Sequence, residues 1–323
     1  SNAVLNKSMS VYSDQILDNV LTYTDKIGNH SFTAMAGHSY RDEAGHWLSA
    51  QGLNFPVDQE PAWYIDHAET IPATAVGNMG TRQYGISYFG RISYNYNNRY
   101  LLYGTMRADG SSKYQQKWEY FPTIGAGWVV SEEAFMQDIA WLDFLKLRAS
   151  WGELGNDKIQ ASDGASTTTT IYTALGGVMV PGTTTTSTFS SLKWEVSEET
   201  NVGLTATMLD SKLSVDVDYF MRDTKNAAIY VKIPSTTSQV LKNVGEIRNS
   251  GFEVALDWTN QVSKDFRYNV GVNFSALKNE VLDLFGQPYI DGGSAEFRQR
   301  SIVGEPLLAF FGRKVEGVYQ NEA

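Results

Sequence analysis

The sequence predicts an all-β protein, an antiparallel transmembrane β-barrel segment of about eleven long strands. Three observations predict it. Apolar and polar residues alternate with period two, which puts successive side chains on opposite faces of a strand. Several alternating runs reach the roughly 9 to 11 residues that a tilted strand needs to cross a bilayer, against about 5 to 6 in an ordinary sheet. The connections between runs alternate short and long along the chain, as in outer-membrane barrels with brief periplasmic turns and long extracellular loops.

In chain order the strands are placed near 12–24, 30–41, 81–94, 99–109, 118–130, 142–154, 198–209, 212–223, 248–260, 265–278 and 298–318. The sixth is typical. Leu145, Leu147, Ala149 and Trp151 form one face, and Lys146, Arg148 and Ser150 the other. In the eighth, Leu213, Val215, Val217, Tyr219 and Met221 oppose Ser214, Asp216, Asp218 and Arg222. The ninth sets Phe252, Val254, Leu256 and Trp258 against Glu253, Asp257 and Thr259. The tenth sets Phe266, Tyr268, Val270, Val272 and Phe274 against Arg267, Asn269, Asn273 and Ser275. Lipid is expected on the apolar stripes and the barrel interior on the charged ones.

Short connections are expected at 24–29, 95–98, 210–211 and 261–264, and long ones at 41–80, 153–197, 223–247 and 278–297. The stretch 131–141 is expected to carry a helical turn on the short side. The Thr-rich tracts 167–170 and 183–186 read as surface loop. Four aromatics of the first long connection, Trp47, Phe55, Trp63 and Tyr64, are candidate ligand or partner contacts, because aromatic faces stack on sugar rings and apolar side chains. The bland alternative is that they pack the loop against its neighbours.

Composition narrows the function. Of 323 residues 42% are hydrophobic, yet no run approaches the roughly 20 continuous apolar residues of a membrane-spanning helix. A formal charge of −10 opposes a nucleic-acid partner, which would require a basic footprint. Cysteine is absent, so disulfides and thiolate metal sites are excluded. The four histidines lack zinc-site spacing. Asp216 and Asp218 share a polar face and read as lumen neighbours rather than paired catalytic acids. Asp109-Gly110-Ser111-Ser112 reads as a turn rather than a calcium loop. No catalytic, cofactor or metal residue is assigned, and the chain is not expected to be an enzyme.

Several segments carry a family resemblance. The stretch 88–114 (YFGRISYNYNNRYLLYGTMRADGSSKY), 121–136 (FPTIGAGWVVSEEAFM) and 144–156 (FLKLRASWGELGN) resemble the central barrel of SusC/RagA-type TonB-dependent transporters. Further on, 192–204 (LKWEVSEETNVGL), 218–226 (DYFMRDTKN), 243–256 (NVGEIRNSGFEVAL) and 316–321 (EGVYQN) follow in the order of that family. The resemblance implies a barrel of about 22 strands with a plugged lumen, of which the eleven here would be roughly half. It also implies the bacterial outer membrane with its lipid, a SusD-like surface lipoprotein partner, TonB acting through a plug region absent from this sequence, and a glycan or peptide substrate. Residues 1–3 (Ser-Asn-Ala) read as the scar of a cleaved tag, leaving 4–323 as a partial barrel domain of a longer polypeptide. Two rivals stay open at this level, a non-transport outer-membrane β-protein and a soluble carbohydrate-binding β-sandwich, whose strands would show the same alternation.

Overall fold

A computed structural model describes residues 3–56, 59–60, 63–72, 76–158, 167–175, 178–186, 192–232, 239–294, 296–312, 314 and 317. Ten strands form one antiparallel sheet: β1 (Val4–Ile27), β2 (His30–Leu53), β3 (Gly77–Tyr96), β4 (Tyr100–Ser111), β5 (Trp118–Val129), β6 (Leu142–Asn156), β9 (Glu195–Met208), β10 (Leu213–Lys232), β11 (Gln239–Gln261) and β12 (Arg267–Asp283). Neighbours in the sheet are neighbours in the chain, except that a separate hairpin, β7 (Thr167–Leu175) with β8 (Val178–Thr186), intervenes between β6 and β9. A three-stranded sheet follows from β13 (Tyr289–Gly293), β14 (Arg298–Ile302) and β15 (Ala309–Phe310).

Ten of the eleven expected strands lie in the main sheet, and the expected eleventh does not. Its sequence divides into β14 and β15, separated by a turn with Gly304 in the left-handed region (φ 88°). Residues 316 and 318–321 of the motif at 316–321 lie outside the described residues, as do Ser1 and Asn2 of the expected tag scar. The Thr-rich tracts are strand backbone, paired Thr167 to Thr186 and Thr170 to Thr183, rather than loop. Threonine's β-branched side chain favours that extended state.

In a simple meander all even-numbered connections leave one end of the sheet. The strand ends before and after the connections that follow β2, β4, β6 and β10 therefore share one end of the sheet, and those flanking the connections that follow β1, β3, β5, β9 and β11 share the other. The expected asymmetry is present, although β10 and β11 extend well into the stretch read as a long loop. Tight turns close the short end. Asn97 and Asn98 both take positive φ (53° and 55°), the two-residue geometry that matches strand twist. Across 130–141 two 3-10 turns, Val130–Glu132 and Ala134–Met136, replace the single helical turn expected. Glu133 between them accepts hydrogen bonds from Tyr100 Oη (2.6 Å), Trp128 Nε1 (3.0 Å) and Arg99 (3.0 Å). Those donors, Tyr100 and Trp128 first, hold its carboxyl below the usual glutamate range.

Directly paired residues share a face, and the register carries one apolar row across the sheet. Tyr96, Tyr100, Trp128, Leu147, Leu204, Val217, Val254 and Phe274 are successive partners. The row beside it runs Leu102, Ala126, Ala149, Val202, Tyr219, Phe252 and Ala276. Among the described residues no second sheet covers this face: Leu147 is 39% exposed, Val202 52%, Phe274 56% and Ile124, on the same face, 60%. A sandwich would bury this face, so that alternative falls. The belt has edges. Beyond Met221 the same face turns charged, with Asp223 paired to Arg248 and Lys225 to Glu198. Stacked or neighbouring aromatics mark its rims, Tyr96 with Tyr100 (6.3 Å) near the short end and Tyr88 with Trp118 (6.1 Å) toward the other.

The strands are also staggered. Tyr96 ends β3 at the short end, but its row partner on β10, Val217, lies four residues from that strand's start at Leu213. Four residues are about 13 Å along a strand, and five interstrand steps are about 24 Å, so the row climbs at an angle on the order of 30°. That is the sense of shear a tilted barrel wall requires. Leu147 thus sits near mid-belt. Replacing it with arginine is expected to lower unfolding free energy in lipid vesicles by about 2 to 4 kcal/mol, as a charge at the bilayer midplane does. Denaturant titration checks this, and an effect no larger than that of Leu147→Ala would contradict the lipid assignment.

Candidate functional site

The opposite face is polar and laced with cross-strand ion pairs. At its β1–β2 side, Arg41 holds Asp14 through two nitrogens (3.0 and 2.7 Å) and touches Glu43 (2.6 Å), which also accepts from Tyr12 Oη (2.9 Å). On β4, Arg107 bonds Asp109 (2.7 Å) and Ser87 (2.8 Å). Across β6, β9 and β10, Arg148 reaches Asp218 (2.5 Å), Asp216 (3.3 Å) and the Thr205 hydroxyl, and that hydroxyl donates to Asp216 (2.7 Å). The two carboxylates singled out in the sequence therefore share one guanidinium as neighbours on the inner face, and one of their two negative charges stays uncompensated by it.

Glycines make room for these contacts. A Cβ on Gly203 would come within 2.3 Å of Asp218 Oδ1 and 2.6 Å of Arg148 Nε, so the bare backbone is the seat of the ion pair. The Tyr103 ring lies over Gly125 in the same way (2.2 Å to a Cβ there), and Phe89 over Gly37 (2.2 Å). A large side chain closing over a strand glycine restores the packing that glycine alone forfeits. Cations then stack on the rings, Arg91 over Tyr103 (4.9 Å) and Arg107 over Phe89 (5.5 Å).

This face holds two kinds of concavity. One, of about 460 Å³, spans β2 to β6 and β9 and is bordered by Arg91, Ser93, Tyr103, Lys146 and Ser150. The other lies on β10 to β12 and is acidic, bordered by Asp216, Asp218 and Glu253. At the long-connection end a small buried cluster of Tyr114, Phe121, Leu192, Trp194 and Leu241 ties the connections to the strands. Tyr114 donates to the Asn156 carbonyl (3.0 Å), and burial pushes its phenol well above the usual tyrosine range. No group of three or more His, Cys, Asp or Glu that could hold a metal ion occurs among the described residues.

The four aromatic candidates are spread over different settings. Trp47 is not in a loop, because β2 continues to Leu53 and pairs Trp47 with Ser10 and Met79. Phe55 is buried against Gly52, where a Cβ would lie 2.9 Å from its ring. Trp63 and Tyr64 are exposed within the connection 54–76, with Tyr64 edge-on to His67 (5.7 Å). Sequence reasoning missed the Gly203 seat and the basic concavity. The available signal was glycine at alternate positions on the charged face of β5, where Thr123, Gly125 and Gly127 leave little side-chain cover.

An open antiparallel wall with an exposed apolar belt outside and an ion-paired, hydrated face inside is the wall of an outer-membrane-type β-barrel. Residues 3–307 match the family model described as TonB dependent receptor-like, beta-barrel, and the chain belongs to that family. It is therefore a protein of the Gram-negative outer membrane. It is 31% identical over 319 residues to TonB-dependent receptor P26 of Formosa agariphila, covering 94% of this chain and 32% of that protein. It is 34% identical over 282 residues to TonB-dependent receptor SusC of Bacteroides thetaiotaomicron, covering 82% and 27%. Among solved structures, the RagAB peptide transporter superposes with a TM-score of 0.78 at 24% identity over 93% of this chain and 34% of that one, a likeness of fold. The chain spans about a third of the length of the curated relatives it matches.

The Gly203 seat makes a specific prediction. Gly203→Val is expected to separate Arg148 from Asp218 and to cost roughly 1 to 3 kcal/mol of unfolding free energy, as other overpacked sites do. Gly312→Ala, where nothing lies within 4 Å of the new Cβ, should change stability by less than about 0.5 kcal/mol. Equal effects of the two, measured by denaturant titration, would contradict the account of the ion pair.

Proposed function

We propose that this chain supplies wall, connections and part of the lumen of an active importer, which takes up a glycan or a peptide with a SusD-like lipoprotein at its outer mouth and TonB energy acting through a plug. The observation that carries the proposal is the two-faced wall. Its outer belt suits lipid, and its inner face is lined by charges, hydroxyls and amides that a hydrated solute can pass. The matches to the SusC and P26 receptors support the TonB-coupled reading, and the likeness to a peptide transporter supports the geometry. Partner, energy source and substrate belong to the whole receptor, of which this is a part.

In this reading the end bearing 54–76 faces the outside, and Trp63 and Tyr64 present aromatic surface there to the lipoprotein or to arriving solute. On this reading the chain acts as barrel wall rather than as an enzyme. Asp216 and Asp218, which share the polar face of β10, are both in ion-pair contact with Arg148.

These 323 residues contain no cysteine, so once any cysteine elsewhere in the receptor is replaced, single-cysteine variants test the orientation. Within the receptor on intact cells, Asp66→Cys in the long connection is expected to react with a membrane-impermeant maleimide, and Lys264→Cys in the turn 262–266 to stay unreacted until the outer membrane is opened. The reverse pattern would invert the wall. Loss of the gene, or of TonB, should each abolish uptake of the same solute, and uptake that persists without TonB would overturn the importer reading.

A further inference from the structure

The basic concavity on the inner face stands out against an acidic protein. The sequence has 36 acidic and 26 basic side chains, yet no Asp or Glu lines this cavity of about 460 Å³. Arg148, on its border, is engaged by Asp216 and Asp218. Arg91 and Lys146 are not so engaged: among the described residues neither has a carboxylate within 4.0 Å. Elsewhere on the inner face Arg41, Arg107, Arg148 and Arg222 are paired with acids, and Arg91 and Lys146 bring two cations without such a partner to one cavity.

The two cations are also positioned. Arg91 stacks on the Tyr103 ring at 4.9 Å and donates from Nε to Ser93 (3.2 Å), which fixes the guanidinium plane. Tyr103 is itself seated over Gly125. The partly buried Lys146 lays its stem over Gly127, with Cε 3.2 Å from where a Cβ would stand. Ser150 and Asn201 add polar groups to the same wall. A planar, oriented guanidinium beside a point-charge ammonium matches a carboxylate, which the fork can bind in two-point fashion while the ammonium adds charge.

We propose that this cavity is a carboxylate site of the lumen, with Arg91 and Lys146 as its binding residues. The carboxylate comes from an acidic solute in transit, such as a uronic acid residue, or from another segment of the same polypeptide. The proposal rests on the assignment of this face to the lumen. The Leu147→Arg measurement tests that assignment separately, so a wrong lumen and a wrong carboxylate site give different results.

The test uses the intact receptor in detergent and two probes that share a pyranose ring, D-glucuronate and D-glucose, with binding read by saturation-transfer NMR. Glucuronate is expected to bind at least about fivefold tighter than glucose at low salt, with the preference lost at high salt, as an exposed ion pair requires. Arg91→Gln with Lys146→Gln should erase the preference. Arg107→Gln, which removes a cation already paired with Asp109, should leave it. If neither sugar binds, carbodiimide activation should join the Lys146 amine to a carboxylate of the same polypeptide, giving a cross-linked peptide pair by mass spectrometry and placing an internal carboxylate in the site. A preference that survives the double substitution overturns the proposal. So does the absence of both glucuronate binding and a Lys146 cross-link.

Discussion

The antiparallel hydrogen-bond ladder, kept in one register across the apolar belt, is the constraint on which the rest of this structure depends. In hydrocarbon every backbone N–H and C=O must be paired within the protein, and a continuous ladder is how strands achieve this. Register does more than satisfy the backbone. Because side chains alternate with period two, a one-residue slip would turn Leu147, Val202 and Phe252 inward and send Arg148 and Asp218 into lipid. The observed shifts in register lie at Leu142/Phe144, Thr224/Ala227/Ala228 and Glu246/Ile247. Each falls at or beyond an edge of the apolar belt, where a bulge costs no lipid-facing pattern.

The inner face is organised by the same ladder. Cross-strand neighbours set Arg148 beside Gly203 and Gly203 beside Asp218, so an ion pair between residues 70 apart in sequence forms over a glycine whose missing side chain leaves the space. The row next to it sets Tyr103 against Gly125. Glycine and a bulky or charged partner thus act as a unit, and the inner wall alternates filled and hollow positions. The basic hollow of β2 to β6 and the acidic hollow of β10 to β12 are consequences of where those glycines fall and of which cations find acids.

Much of the fold was legible because period-two alternation is local. The strands from 81 to 154 and from 198 to 278 could be read from runs such as 144–151 and 213–222. Legibility failed where the local signal stops reporting on burial. Above the belt β10 and β11 continue to Lys232 and Gln239, but the face that is apolar below carries the ion-paired Asp223 and Arg248 there, so the alternation breaks and no longer signals a strand. Around Trp47 the alternation gives no strand signal either, although β2 runs on to Leu53. The Thr tracts form a hairpin although polar side chains gave them no apolar face, and the run 298–318 lost its strand to the turn at Gly304. Ion partners were not legible at all, since nothing local to Arg148 specifies which strand will lie beside it.

The central claim is that one face of this wall meets lipid and the other does not. It is tested most directly by nitroxide labels placed singly at 145 through 150 in the membrane-inserted receptor, with any cysteine outside these cysteine-free 323 residues replaced. Collision rates with oxygen, which concentrates in hydrocarbon, and with a water-soluble nickel chelate are then compared along the strand. A period of two is expected, with oxygen favoured at Leu145, Leu147 and Ala149 and the chelate at Lys146, Arg148 and Ser150. A flat profile, or one with the phases exchanged, would contradict it.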